Sequence, residues 1–241
     1  MNIITTLITG AGSGIGLAIA NRFYLENHNL ILLVRTLKQK KALEKNFKTK
    51  NVKIFYGNLA NYEFINKISN KIGSVNNLIN NAAGQIVDHL INVKKKDLDY
   101  LIDLNFKSTF LLTQFFTKKM IMKKMKGSVI NLSSTLGQIG SYNRSVYCAT
   151  KFAAEGFTKA AALDLAKFGI RVNSIAPCKT TKNEKGLLDK ARVKSIKNKI
   201  PSGEFTKKED IAELCLFLTS NASKNITGST IKIDGGWTAG K

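Results

Sequence analysis

Seven residues near the amino terminus, Gly10-Ala11-Gly12-Ser13-Gly14-Ile15-Gly16, constrain this chain more than any other stretch. They follow directly on an apolar run, residues 3–9, that reads as a buried strand, and they lead into a helical pattern over residues 17–25. A strand, a glycine turn and a helix in immediate succession turn a weak glycine cluster into a phosphate-site hypothesis. Glycines let the backbone come close to a pyrophosphate, and a helix amino terminus presents free N–H groups and the positive end of its dipole. In another context the same glycines would be only a tight structural turn. Here strand-like and helix-like runs alternate to the end of the chain, the pattern of an α/β fold on a parallel sheet.

The 241 residues suffice for one domain of the larger kind. Hydrophobic content of 44% and charged content of 22% are those of an ordinary globular protein. Two prolines leave little room for an interdomain hinge, and no repeat or low-complexity tract interrupts the pattern. Cys148, Cys178 and Cys215 form no CxxC pair and accompany no histidine cluster, which argues against a disulfide scaffold and against a metal site. His28 and His89 fall outside every motif and are expected at the surface or in loops. The amino terminus lacks a basic segment ahead of its apolar run, and no apolar stretch approaches the ~20 residues that cross a bilayer. A cytoplasmic protein with no membrane partner is expected.

The formal charge of +22 invites a nucleic acid, an anionic surface or an acidic carrier protein as partner. The excess is mostly lysine, spread along the chain with runs at 38–41, 94–96, 118–126 and 179–199, and asparagine and isoleucine are abundant too. Aromatic residues are not interleaved with these runs as in a base-stacking platform. A solvated surface is the first expectation, a functional electropositive face the second.

Tyr147 and Lys151 stand four residues apart, so on a helix they share a face. An ammonium one turn from a phenol favours the phenolate and brings its proton within reach of neutral-pH chemistry. Alone, such a pair is usually an ordinary surface contact.

The surrounding motifs change that. Thr9-Gly10-x-x-x-Gly14-x-Gly16 resembles the glycine motif of the short-chain dehydrogenase/reductase family, and the resemblance extends from Thr9 to Gly236. It implies a single Rossmann-type domain over 1–241, a doubly wound parallel sheet of about seven strands with helices on both faces. Residues 30–34, 52–56, 128–132 and 170–176 read as further strands. Gly10, Ser13, Gly14, Ile15 and Gly16 then hold the cofactor pyrophosphate. The second strand ends in Val34 and Arg35 where NAD-binding relatives carry an acid for the ribose hydroxyls. A guanidinium pairs instead with a 2′-phosphate, so NADP(H) is favoured and NAD(H) is the alternative. Asn58 and Leu59 meet the adenine, Asn58 in place of the usual aspartate.

Asn80-Asn81-Ala82-Ala83-Gly84 resembles the family's NNAG turn, with Ala83 where its glycine normally stands. Asn80 and Asn81 are expected to tie strands together and line the cofactor cleft, with Ala82 beside them. Residues 98–122 read as one long amphipathic stretch whose Leu101, Leu104, Phe106, Phe110, Leu111 and Phe115 form core or subunit interface. Asn105 within it matches the asparagine whose main chain supports a proton relay. Ser134 lies thirteen positions before Tyr147, the family's spacing for the catalytic serine. Pro177 and Thr180 face the nicotinamide; Cys178 replaces a glycine there and reads as a small filler before a reactive thiol. Residues 179–205 take the place of the substrate lid, with Lys182, Lys185, Lys190, Arg192, Lys194, Lys197 and Lys199 against Glu184, Asp189 and Glu204.

The constellation implies an NADP(H)-dependent oxidoreductase that interconverts a carbonyl and a secondary alcohol. Its catalytic residues are Ser134, Tyr147, Lys151 and Asn105, and no metal is implied. The first expectation for the substrate is a 3-oxoacyl thioester on an acyl carrier protein; the alternative is a sugar, polyol or other small alcohol. A non-catalytic NADPH-sensing or nucleic-acid-binding protein is the reading from another class, disfavoured by the complete Ser–Tyr–Lys set. The resemblance further implies a homo-oligomer, a tetramer or a dimer.

Overall fold

The computed structural model describes residues 4–49, 51–180 and 190–240. Seven strands form one parallel sheet: β1 (Thr5–Thr9), β2 (Asn29–Val34), β3 (Val52–Tyr56), β4 (Asn77–Asn80), β5 (Gly127–Leu132), β6 (Ile170–Pro177) and β7 (Thr230–Ile233). Their order across the sheet is β3-β2-β1-β4-β5-β6-β7. The chain winds outward from β1 to β3, returns to lay β4 beside β1, and winds outward the other way. Thr6, Leu7 and Ile8 pair with Asn77, Leu78 and Ile79 at that reversal.

Side chains alternate across a strand, so each central strand feeds two cores. Ile8, Leu30, Leu32 and Ile130 face one side with Ile19 and Phe23 of α1 (Gly14–Leu25) and Ile211 and Cys215 of α8 (Lys208–Thr219). Leu7, Ile31, Leu33 and Val129 face the other. There they meet Ile65 and Ile68 of α3 (Tyr62–Lys71), Phe116 of α5 (Ser108–Met122) and Ala161 of α6 (Ser145–Ala166). The remaining helices are α2 (Leu37–Asn46), α4 (Lys95–Ile102) and α7 (Lys190–Lys197). No helix among the described residues is long and apolar enough to cross a membrane.

Two expectations change. The stretch over 98–122 is not one helix: α4 ends at Ile102, a π turn spans Asp103–Lys107, and α5 begins at Ser108. The widened turn carries Asn105, whose side chain leaves the helix ladder for partners elsewhere. His28 lies in the loop before β2, as one half of its expectation has it, but not at the surface. It is 9% exposed, with Nδ1 2.8 Å from the Thr6 hydroxyl and its ring edge-on to Phe23. Its place just before β2 packs it under the sheet, which no motif signals. His89 is exposed, as expected.

Candidate active site

Where the strand order reverses, between the carboxyl ends of β1 and β4, the sheet opens a cavity of about 680 Å³. Such a switch point is where ligands settle in open α/β sheets. Gly10, Ser13, Gly14, Ile15 and Gly16 line it. Gly10 has φ +66°, a left-handed conformation suited to glycine, and a Cβ at Gly16 would collide with the Gly10 carbonyl and the Asn81 amide. The turn therefore closes directly on the loop after β4. Asn81 N and Ala82 N both donate to Thr9 Oγ1 at 2.9 Å, and Asn81 Nδ2 donates to the Thr9 carbonyl at 2.9 Å. Asn81 and Ala82 line the cavity beside the glycines. A surface of bare backbone at the start of α1 fits a pyrophosphate.

Asn80 does not line the cleft as expected. β4 alternation turns it into the core, where Nδ2 donates to Asn131 Oδ1 at 2.9 Å and Thr113 Oγ1 at 3.1 Å. It ties β4 to β5 and α5. Arg35, Asn58 and Leu59 stand at the far end of the cavity. The Arg35 guanidinium lies 6.0 Å from the centre of the Tyr100 ring, within cation–π range. Gln39 Oε1 accepts the Arg35 and Thr36 N–H groups at 3.1 and 3.2 Å and braces the loop. Asn58 Oδ1 accepts from Ala60 N at 3.0 Å, which leaves its NH₂ and a second lone pair for a ligand.

Ser134 ends the extended segment after β5 and caps a short 3-10 turn, accepting from Leu136 N at 3.2 Å. It also acts on the Tyr147 phenol in the direction that favours the phenolate. Tyr147 lies in the first turn of α6, and Lys151 one turn on. Lys151 is 4% exposed, and its Nζ donates to the Leu132 carbonyl at 2.6 Å and sits 5.7 Å from the centre of the Tyr147 ring. Burial lowers its pKa to about 8, with the Glu155 charge acting in the opposite direction.

The expected origin of the tyrosine's acidity is corrected by this geometry. Burial holds the Tyr147 phenol above its usual range, and the groups that pull it back are Ser134, by hydrogen bond, and Arg144, by charge. Lys151 is itself desolvated and tied to the Leu132 carbonyl.

Asn105, 3% exposed, joins the two halves of the site. It accepts from Gly84 N at 2.8 Å, donates to Gly84 O at 2.9 Å, and donates to Thr150 Oγ1 at 3.1 Å. Gly84 lines the cavity and Thr150 adjoins Lys151 on α6, so one amide fixes the distance between them. The Asn105 carbonyl accepts from Thr109 Oγ1 at 3.1 Å.

Ser134, Tyr147, Lys151 and Pro177 are not among the residues that line the cavity; Pro177 is the buried last residue of β6. Thr180 does line it, whereas Thr181 and residues 182–189 of the expected lid lie outside the described residues. The Cys178 thiol is half-buried and pushed up by desolvation, in keeping with a filler. Leu101 and Leu104, assigned to core or interface, pack in the core and also form part of the cavity wall beside Gly84. Gln39, Gln85, Ile86, Tyr100 and Lys208 also line it and were not anticipated. Of these only Gln39 carries a signal, the capping-box spacing Thr36-x-x-Gln39.

A family model described as enoyl-(acyl carrier protein) reductase matches residues 10–238. A 3-oxoacyl-[acyl-carrier-protein] reductase of Rickettsia typhi is 37% identical over 232 residues, 96% of this chain and 95% of that one. The L-xylulose reductase of Bos taurus is 31% identical over 235 residues, 97% of this chain and 96% of that one. The solved structure of a 4-hydroxyisoleucine dehydrogenase complexed with NADH superimposes with a TM-score of 0.93 at 31% identity, covering 99% of this chain and 100% of that one.

Proposed function

Because the chain belongs to the short-chain dehydrogenase/reductase family, whose members are NAD(P)-dependent oxidoreductases acting on alcohol and carbonyl carbons, we propose that it reduces a 3-oxoacyl thioester on an acyl carrier, with NADPH as reductant. The observation that carries the reading is Tyr147 and Lys151 one turn apart on α6, with Lys151 buried and its Nζ 5.7 Å from the centre of the Tyr147 ring.

When bound, the nicotinamide supplies the hydride. Gly10, Ser13, Gly14, Ile15 and Gly16 hold the pyrophosphate, and Asn81 and Ala82 keep that turn in shape. Arg35 pairs with a 2′-phosphate, and Asn58 and Leu59 flank the adenine. Lys151 and Tyr147 reach the nicotinamide ribose, and Pro177 and Thr180 bound the nicotinamide itself.

Tyr147 Oη gives its proton to the carbonyl oxygen as that oxygen becomes an alkoxide. Ser134 donates a hydrogen bond to the same oxygen and offsets its growing charge. A lysine with a pKa of about 8 still carries its proton at neutral pH and can pass it toward the phenolate left behind. Asn105 supports the path by which that proton is restored, its side chain holding α6 at a set distance from Gly84.

A lysine-rich surface suits an acidic carrier and its phosphopantetheine arm, and the similarity to the 3-oxoacyl-[acyl-carrier-protein] reductase of Rickettsia typhi spans nearly the whole chain. A sugar, polyol or small-alcohol substrate is the second reading, favoured by the similarity to L-xylulose reductase. The protein acts in the cytoplasm as a homo-oligomer, a dimer or tetramer, built on the exposed face of α5 and α6 around Phe110 and Phe152. NADPH oxidation followed with acetoacetyl thioesters, diketones and keto-sugars in parallel tests the choice. Thioesters turning over fastest is the expected result; a keto-sugar ahead by tenfold in kcat/KM overturns it.

A further inference from the structure

Arg144 stands immediately before α6, three residues ahead of Tyr147, and nothing in the mechanism above uses it. Its Nη1 donates to Gln85 Oε1 at 2.7 Å, a bond that joins the entrance of α6 to a residue of the cavity wall. No carboxylate pairs with it among the described residues. Asp88 N–H meets the carbonyl of Asn143, the residue before Arg144, at 3.0 Å, and Asp88 Oδ1 accepts from His89 N at 2.8 Å. Arg144 is half-buried, and its charge favours the Tyr147 phenolate. Its choice over lysine matters too, since the chain has five arginines among 38 basic residues. A guanidinium offers five donors in a planar fork, and Gln85 takes one.

We propose that Arg144 anchors the substrate by a second oxygen, one close to the carbonyl that Tyr147 protonates. The chemical class it selects is a carbonyl compound bearing an adjacent oxygen acceptor, the thioester carbonyl of a 3-oxoacyl group or a free carboxylate. Gln85 takes one N–H of the guanidinium, and the remaining N–H groups are the ones assigned to the substrate oxygen. This rests on Tyr147 being the proton donor and deepens that reading to the substrate's immediate neighbourhood.

The test compares kcat/KM for three ketones, acetoacetyl-pantetheine, acetoacetate and 2-pentanone, in the wild-type protein, Arg144→Gln and Arg144→Lys. The expected result is a loss in Arg144→Gln at least tenfold larger on the two oxygen-bearing substrates than on 2-pentanone, with partial recovery in Arg144→Lys. A larger loss on acetoacetate than on the thioester identifies a carboxylate as the anchored group, and the reverse identifies the thioester carbonyl. An equal loss on all three, with the pH–rate profile shifted upward, means that Arg144 acts only on the phenol; it overturns the anchoring role and leaves the reductase reading standing. No NADPH oxidation with any ketone in the wild-type protein overturns both.

Discussion

The Ser133 hydroxyl donates to the Glu155 carboxylate across 2.7 Å, and so binds the residue before Ser134 to the turn of α6 after Lys151. Gln138 Nε2 donates to the other carboxylate oxygen at 3.3 Å. Glu155 is thus the brace between the strand end that carries Ser134 and the helix that carries Tyr147. Glu155→Ala leaves a buried hydroxyl and an amide without their acceptor, at an expected cost of about 1–3 kcal/mol. A lower urea midpoint at unchanged slope is the readout. Glu155→Gln keeps an acceptor and most of the stability, but it removes the charge that supports protonated Lys151. Its pH–rate profile is expected to shift toward lower pH; an unmoved profile would make Glu155 a brace and nothing more.

Tyr147→Phe removes the phenol oxygen and leaves the cavity intact, since Tyr147 does not line it. NADPH binding is expected to stay within about threefold while kcat falls by roughly 10²–10⁴, the range for loss of a general acid. Fluorescence titration and steady-state turnover separate the two. Turnover near wild type would remove Tyr147 from the chemistry.

Lys151 makes a different kind of prediction, because its buried charge opposes folding. The pKa of about 8 lies below the ordinary lysine value of 10.5. Between these values the unfolded chain holds a proton that the folded one has lost, so wild-type stability rises with pH through that window. At pH 7 the charge is present in both states and the desolvation cost is fully felt. Lys151→Met is expected to be more stable there by on the order of 2 kcal/mol, after allowance for the lost bond to the Leu132 carbonyl, and to be inactive. The gap in stability should close from pH 8 to 10.5; a constant gap would refute the linkage.

Arg35 lines the cavity at the end of β2, with its backbone N–H fixed by Gln39. A charge-assisted pair with a 2′-phosphate contributes about 1.5–3 kcal/mol, so Arg35→Ala is expected to weaken NADPH by roughly 10- to 100-fold. NADH, which lacks that phosphate, should change little. Equal weakening of both in a competition titration would assign Arg35 to the loop's shape.

What the sequence carried and what it did not divide along physical lines. The strand–glycine–helix unit, β3 at Val52–Tyr56 and the helix that carries Tyr147 and Lys151 are local patterns, and each lies where periodicity puts it. The π turn at Asp103–Lys107 was hidden because its cause is tertiary: Asn105 bonds Gly84 and Thr150, residues 21 and 45 positions away. Arg144 and Gln85 meet across 59 residues, and no single-chain pattern points to that pair. Glu155 had a usable signal in its place one helical turn beyond Lys151. Asn80 was misplaced for a simpler reason, since adjacent asparagines at a strand end face opposite ways and only Asn81 reaches the cavity.

His28 sets an acid limit on stability at the opposite end of the sheet. Asn77 Nδ2 donates to Thr6 Oγ1 at 3.1 Å, and His28 Nδ1 lies 2.8 Å from the same hydroxyl. Burial lowers its pKa below the ordinary 6.5, opposed by the Glu26 charge. As pH falls through 6.5, the unfolded chain takes up a proton that the folded one refuses, so stability declines until the lower folded value is passed. Urea midpoints measured from pH 7.5 to 5 should fall more steeply in the wild-type protein than in His28→Asn, whose amide can still hydrogen-bond Thr6. Parallel slopes in the two proteins would place the acid sensitivity elsewhere.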